Sequence, residues 1–389
     1  MSEQFNKPLR TALIGCGKVG STHADAYRAL PQSELTAVCD NNLERAQTFG
    51  DQYGAAPFAD VKTMLERTKP QLVSICTPHP VHADAIVAVA EKGIHVLVEK
   101  PLAPDLQGCD QAISACSKHG VKLGVISQRR FYQPVVRMRE ALLTGKIGAP
   151  ILATLVVMGW RSPEYYQMDP WRGKWDTEGG GVLVNQTVHQ LDVFQWLMGP
   201  IDELFGYWDN FNHPYIEVED TAIAVVKFKS GGLGQILVSN SQKPGFYGKI
   251  HIHGSNGASV GAQTEGGSPF VAGVTTEVDP PINDIWTIPG EEDALQSWQA
   301  ADRKFASDND PMSYYHTLQI ADMLNAVLEG HEPLVNGVEG RKSVEIFTAL
   351  YRSQREHAAV KFPLQAERVA GDYDGRLSYQ PHSRRSTAA

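Results

Sequence analysis

Positive charge is in short supply in this chain of 389 residues. Lys and Arg number 35 against 44 Asp and Glu, a formal net charge of −9. Such a balance argues against a nucleic-acid partner, whose phosphates need a basic face, and against an anionic membrane surface. Long apolar runs are missing too. Ala85 to Ala90 and the largely apolar Ile151 to Met158 fall far short of the roughly 20 residues of a spanning helix. Met1 to Arg10 is polar, with no apolar stretch of the kind a signal peptide carries. Cysteine is sparse: Cys16, Cys39, Cys76, Cys109 and Cys116, none later and no C-x-x-C pair. That odd, lopsided set is neither a disulfide framework nor a zinc site. A reducing compartment, the cytoplasm, is therefore expected, and no metal.

What is present suits two domains. The first third alternates short apolar, β-branched runs with helical stretches. Leu9 to Gly15, Leu35 to Cys39, Leu72 to Cys76, His95 to Glu99 and Leu123 to Ile126 read as strands. Ser21 to Leu30, Leu43 to Tyr53, Val61 to Arg67, Val81 to Lys92 and Asp105 to His119 read as helices. Continuously apolar strands interleaved with helices predict an open, doubly wound (Rossmann-type) parallel sheet, so residues 1–127 are expected to form an α/β domain. Beyond Ser127 the texture changes. Helices are predicted at Pro134 to Leu143 and Val182 to Met198, with a strand at Ile151 to Trp160 between them. Period-two runs follow at Thr221 to Phe228, Gly234 to Ser239 and Lys249 to Gly254, and helices at Tyr314 to Glu329 and Gly340 to His357. The expectation is an α+β domain over residues 128–365 with an open, mainly antiparallel sheet. Gly254 to Gly267 reads as a surface excursion, and residues 366–389 as a polar C-terminal arm.

The residues Thr11 to Gly20 place G-x-G-x-x-G (Gly15, Gly17, Gly20), with Lys18 and Val19 inside it, between a strand and a helix start. The first glycine permits a tight turn, the second lets backbone approach a pyrophosphate, and the third lets the helix pack on the strand. Asp40 ends the next strand, where a carboxylate accepts from a ribose 2′-OH and repels a 2′-phosphate. NAD is therefore expected. NADP is disfavoured, although Arg45 stands one helical turn further on.

Three further motifs complete a pattern: Cys76-Thr77-Pro78-His79-Pro80-Val81-His82, Val98-Glu99-Lys100-Pro101, and Gly179-Gly180-Gly181 running on to Asn185, His189 and Asp192. With the phosphate loop, their order resembles the glucose–fructose oxidoreductase / inositol dehydrogenase (Gfo/Idh/MocA) family over nearly the whole chain. The resemblance implies that Thr77, Pro78, His82, Glu99 and Lys100 flank the cofactor. It also implies that Lys100 and His189 are catalytic. Position supports this independently, because Gly15, Thr77 and Lys100 all lie at strand carboxyl ends, where open α/β sheets bind ligands. Asn185, His189 and Asp192, spaced i, i+4, i+7, share one helical face. His189 has an ordinary pKa near working pH and can take a hydroxyl proton. Otherwise it is a core histidine held by Asp192. Many family members carry Asp where this chain has Asn185. An amide cannot accept a proton, so Asn185 is expected to position substrate.

Ahead of the glycines, Trp160 to Tyr166 and Trp171 to Trp175 mix aromatic and cationic side chains suited to sugar faces and hydroxyls. Arg161, Tyr166, Trp171 and Trp175 are the expected substrate contacts. The resulting reading is an NAD-dependent dehydrogenase oxidising a secondary alcohol of a sugar, sugar derivative or cyclic polyol. A lyase or hydrolase that recycles its NAD and a non-catalytic cofactor-binding regulator are the alternatives. Around Thr221 to Phe228, apolar residues point to both faces of the sheet (Ala222, Ala224 and Val226; Ile223 and Val225). Helices cover only one face, which predicts a homodimer or homotetramer.

Overall fold

The computed structural model describes residues 7–265 and 279–366. The first domain alternates β1 (Leu9–Ile14), α1 (Lys18–Ala29), β2 (Ser33–Cys39), α2 (Leu43–Tyr53), β3 (Ala56–Phe58), α3 (Val61–Thr68), β4 (Leu72–Ile75), α4 (His82–Ala90), β5 (His95–Val98), α5 (Leu106–Lys118) and β6 (Leu123–Val125). Its six strands pair in parallel in the order β3-β2-β1-β4-β5-β6. The apolar runs account for this: every residue of β4 is buried, as a strand covered on both faces requires. β3 escapes a sequence reading because it is three residues long and contains Pro57; proline is tolerated there because β3 is an edge strand. Strand order reverses between β1 and β4, which opens a crevice at their carboxyl ends.

The second domain begins with α6 (Gln133–Leu143), β7 (Pro150–Met158), and two short helices, α7 (Pro163–Gln167) and α8 (Trp175–Glu178). α9 (Val188–Met198) and the strands β8 (Ile201–Asp209), β9 (Thr221–Phe228), β10 (Leu233–Ser239), β11 (Tyr247–Gly254), β12 (Ser259–Glu265) and β13 (Ile282–Trp286) follow. It ends with α10 (Ala294–Asp308), α11 (Pro311–Glu329), α12 (Gly337–Glu356) and β14 (Val360–Lys361). The strands form one sheet in the order β13-β12-β11-β7-β10-β9-β8-β14. It is antiparallel except where β7 runs parallel to β10.

Two expectations are corrected. Ser259–Glu265 is a strand, not a surface excursion, paired with β11 and β13. Its small residues serve packing: a Cβ on Gly261 would stand 2.4 Å from the His251 ring. The helix predicted from Val182 to Met198 is two pieces, a wide π-type turn over Val182–Gln186 and then α9. The expected arm lies, Ala366 apart, outside the described residues.

One face of the large sheet lies on the helices, with Ala222, Ala224, Val226 and Phe228 buried. The opposite face exposes Tyr207, Ile223, Val225 and Leu233. The two domains also share packing. Ile320, Met323 and Leu324 of α11 join Leu9, Tyr27, Leu72 and Leu97 of the Rossmann domain in a single cluster. Among the described residues, no helix is long and apolar enough to cross a membrane.

Candidate active site

A cavity of about 1050 Å³ runs from the phosphate loop to the start of α9. At its cofactor end the three glycines behave as their spacing demands. Gly15 has φ +100°, and a Cβ there would stand 2.6 Å from the Cys76 carbonyl oxygen. Gly20 packs α1 onto β1, with a Cβ position 2.4 Å from the Gly15 oxygen, whereas nothing lies within 4 Å of the Cβ position at Gly17. α1 starts without a side-chain cap, so its first N–H groups are available to phosphate oxygens. Asp40 is fixed by the backbone N–H groups of Cys16 (3.0 Å) and Asn42 (2.9 Å), and Arg45 reaches it at 3.4 Å. Gly15, Gly17, Lys18, Val19 and Asp40 all line the cavity; Gly20 does not, being engaged beneath the loop. These residues fit a dinucleotide.

Thr77, Pro78, Glu99 and Lys100 line the next stretch. His82 lies under the wall, buried between the carbonyl oxygens of Pro101 (2.8 Å) and Thr77 (2.9 Å). Glu99 accepts from His23 Nε2 at 3.1 Å and from the Lys100 backbone N–H at 3.2 Å. Burial by itself would raise the Glu99 carboxyl, but the contacts with His23 and His316 hold it well below the usual range. Lys100 therefore stands on a buried anion. Its Nζ donates to the Asn185 backbone oxygen at 3.0 Å, across the cleft from its own domain. Burial lowers its ammonium from 10.5 to about 8, against the opposing pull of Glu99.

Asn185 and His189 line the facing wall. Their shared face survives the break in the helix, but Asp192 is directed elsewhere. Both of its carboxylate oxygens take the Arg130 guanidinium (2.6 and 2.8 Å), and Ser127 donates to it as well. His189 is thus not held by Asp192. Its Nδ1 is buried without a partner among the described residues. Burial, then Arg129 and Lys100, keep the imidazole well below its ordinary pKa, and so neutral. The turn that presents Asn185 depends on the triple glycine: a Cβ on Gly181 would stand 1.9 Å from the Glu219 carbonyl oxygen. The Glu219 carboxylate also accepts from the N–H groups of Gly181 and Leu183.

The aromatic stretch divides. Arg161 and Trp171 line the cavity, and Trp171 stacks edge-on against His79 at 5.5 Å. Trp175 is 1% exposed and packs against Trp208 and Tyr351, so it is core rather than a substrate contact. Tyr166 likewise lies behind the wall, among Tyr165, His213 and Tyr215.

A family model described as an oxidoreductase family with an NAD-binding Rossmann fold matches residues 9–127, and the C-terminal domain model of the same family matches residues 135–260. The chain belongs to the Gfo/Idh/MocA family. D-glucoside 3-dehydrogenase of Escherichia coli is 29% identical over 60% of this chain and 70% of its own length. Myo-inositol 2-dehydrogenase of Thermotoga maritima is 28% identical over 64% and 74%. Among solved structures, the WlbA dehydrogenase of Bordetella pertussis, in complex with NADH and UDP-GlcNAcA, superposes with a TM-score of 0.77. It is 29% identical and covers 92% of this chain and 100% of its own. The Rossmann domain of this family member is thus an NAD-binding one.

Several residues in or directly behind the cavity wall escape the motif reading. Tyr165 accepts from Arg172 Nη1 (2.5 Å), Gln186 (3.0 Å) and Asn185 (3.2 Å). Arg129 follows the last Rossmann strand and pairs with Glu265. Glu178, directly before the glycines, hydrogen-bonds Asn185. Only its adjacency to a recognised motif could have drawn attention to it.

Proposed function

We propose that this family member is an NAD-dependent dehydrogenase that oxidises a secondary alcohol of a sugar, sugar derivative or cyclic polyol to a ketone, or runs the reverse. The observation carrying this reading is one cavity in which Lys100, brought to about 8, meets Asn185 and His189 beside the phosphate loop. The chemistry that NAD supplies when bound is acceptance of a hydride from carbon. The chain's residues provide the rest. Lys100 Nζ takes the hydroxyl proton in oxidation and returns it in reduction. The neutral imidazole of His189 and the amide of Asn185 hydrogen-bond the reacting oxygen, while Arg161 and Trp171 hold the sugar ring. Relatives that act on glucosides and inositols, and a neighbour holding a nucleotide sugar, support the substrate class. Asp40 at the ribose end supports NAD over NADP. The exposed apolar face of the large sheet supports association into a dimer or a dimer of dimers.

The test is a panel of sugars, sugar acids, nucleotide sugars and cyclic polyols with NAD, followed by NADH absorbance. Stoichiometric NADH with a ketone product is expected. Substrate cleavage or rearrangement without net NADH would replace the dehydrogenase with a cofactor-recycling lyase or hydrolase.

A further inference from the structure

Glu178 is 1% exposed, yet its carboxyl group lies one side chain away from the cavity. It ends α8, and Gly179 at φ 88° turns the chain away behind it. One carboxylate oxygen accepts from the Gly173 N–H at 2.5 Å, and the other accepts from Asn185 Nδ2. The Glu178 carbonyl oxygen accepts from His79 Nδ1 at 3.0 Å, which ties this turn to the Rossmann domain.

These bonds settle a question that the Asn185 side chain leaves open, namely which end of the amide faces the substrate. An ionised carboxylate only accepts, so both of its partners must be donors. Reversing the amide would set Asn185 Oδ1 against a Glu178 oxygen. Tyr165 also lies against Nδ2, at 3.2 Å, but its oxygen already receives Arg172 and Gln186 and is the weaker constraint. With Nδ2 engaged on this side, Oδ1 is left for the cavity that Asn185 lines; among the described residues it meets no donor. The same residue's backbone oxygen holds Lys100 Nζ, so a carboxylate that locates Asn185 also locates the lysine.

We propose that Glu178 is a positioning residue that aims Asn185 Oδ1 at the substrate hydroxyl, making Asn185 a fixed hydrogen-bond acceptor beside Lys100. The inference rests on the dehydrogenase reading above. It gives a neutral amide a defined polarity: the negative charge stands one residue further back and orients the amide instead of touching the substrate. Burial raises Glu178 to about 7. Below that pH its protonated form can donate to the amide oxygen and release the orientation.

A polarity swap tests this. Asn185→Asp sets two carboxylates against each other, and kcat at pH 8 should fall roughly 10²-fold, the scale of a misplaced reacting group. Measured against wild type at the same pH, the deficit should shrink toward pH 6, as the pair shares a proton. Glu178→Gln offers an NH₂ to Asn185, which then reverses and shows the cavity a donor; kcat should fall about 10-fold or more. In the double variant, Glu178→Gln with Asn185→Asp, the introduced amide donates to the introduced carboxylate and an acceptor oxygen faces the cavity again. Its kcat should exceed that of Asn185→Asp at least about 10-fold at pH 8, with the pH 6 recovery abolished. Thermal unfolding and NADH binding, both close to wild type, would show that the variants are folded. Additive losses in the double variant of an otherwise active enzyme would overturn the role of Glu178 alone. A wild type that oxidises nothing in the panel would overturn the dehydrogenase reading and this role with it.

Discussion

Replacing Lys100 with Met keeps the length and apolar stem of the side chain and removes the group that titrates. Lys100 stands at about 8, against an ordinary 10.5, chiefly through burial. At pH 7 a group of pKa about 8 is ~9% neutral and an unperturbed lysine ~0.03%, so the fold raises the population of free base roughly 300-fold. Alcohol oxidation should therefore climb about tenfold per pH unit below pH 8 and level off above it, while ketone reduction, which needs the protonated form, should hold steady below pH 8 and fall about tenfold per unit above it. Lys100→Met should lower kcat by about 10²- to 10⁴-fold and erase the limb near pH 8. The competing base is His189, but burial beside Arg129 and Lys100 holds its pKa well below the ordinary imidazole value. His189→Asn should consequently reduce turnover without moving that limb. Initial rates of NADH formation between pH 6 and 10, with melting temperatures as the folding control, decide the matter. A limb near pH 8 that survives in Lys100→Met, or vanishes in His189→Asn, would refute Lys100 as the base.

Asp40→Ala should narrow the preference for NAD over NADP, read as the ratio of kcat/KM values; a wild type more efficient with NADP would reverse the assignment. Gly181→Ala forces a methyl to within 1.9 Å of the Glu219 carbonyl oxygen, and should destabilise the protein by about 1–3 kcal/mol, with loss of activity; an unchanged melting temperature would show that the turn has room. Val225→Asp places a charge on the exposed apolar sheet face. If that face joins two copies, light scattering should show a wild-type oligomer and a variant mass near 42.7 kDa, whereas a wild-type monomer would remove the interface.

The local rules are legible because they are local. Gly20 answers a steric demand set five residues away, by the Gly15 carbonyl oxygen, and the apolar runs of β1, β2, β4, β5 and β6 read as strands of a covered parallel sheet. The expectation that Lys100 and His189 are catalytic and that Asn185 positions substrate follows from motif order and resemblance. What periodicity could not supply was the identity of distant neighbours. The i, i+4, i+7 spacing places Asn185, His189 and Asp192 on one face, but it is Arg130 and Ser127, over 60 residues earlier, that claim Asp192. Trp175 is chemically indistinguishable from Trp171 in sequence; burial against Trp208 and Tyr351 makes one core, and contact with His79 at the cavity makes the other a wall. Ser259–Glu265 carries loop-like residues and becomes a strand because β11 and β13 flank it, supplying hydrogen bonds that outweigh its weak intrinsic preference. The pKa values belong wholly to the tertiary structure. Lys100 and Glu178 are ordinary residues in the chain, and only the exclusion of water around them brings the one down to about 8 and the other up to about 7.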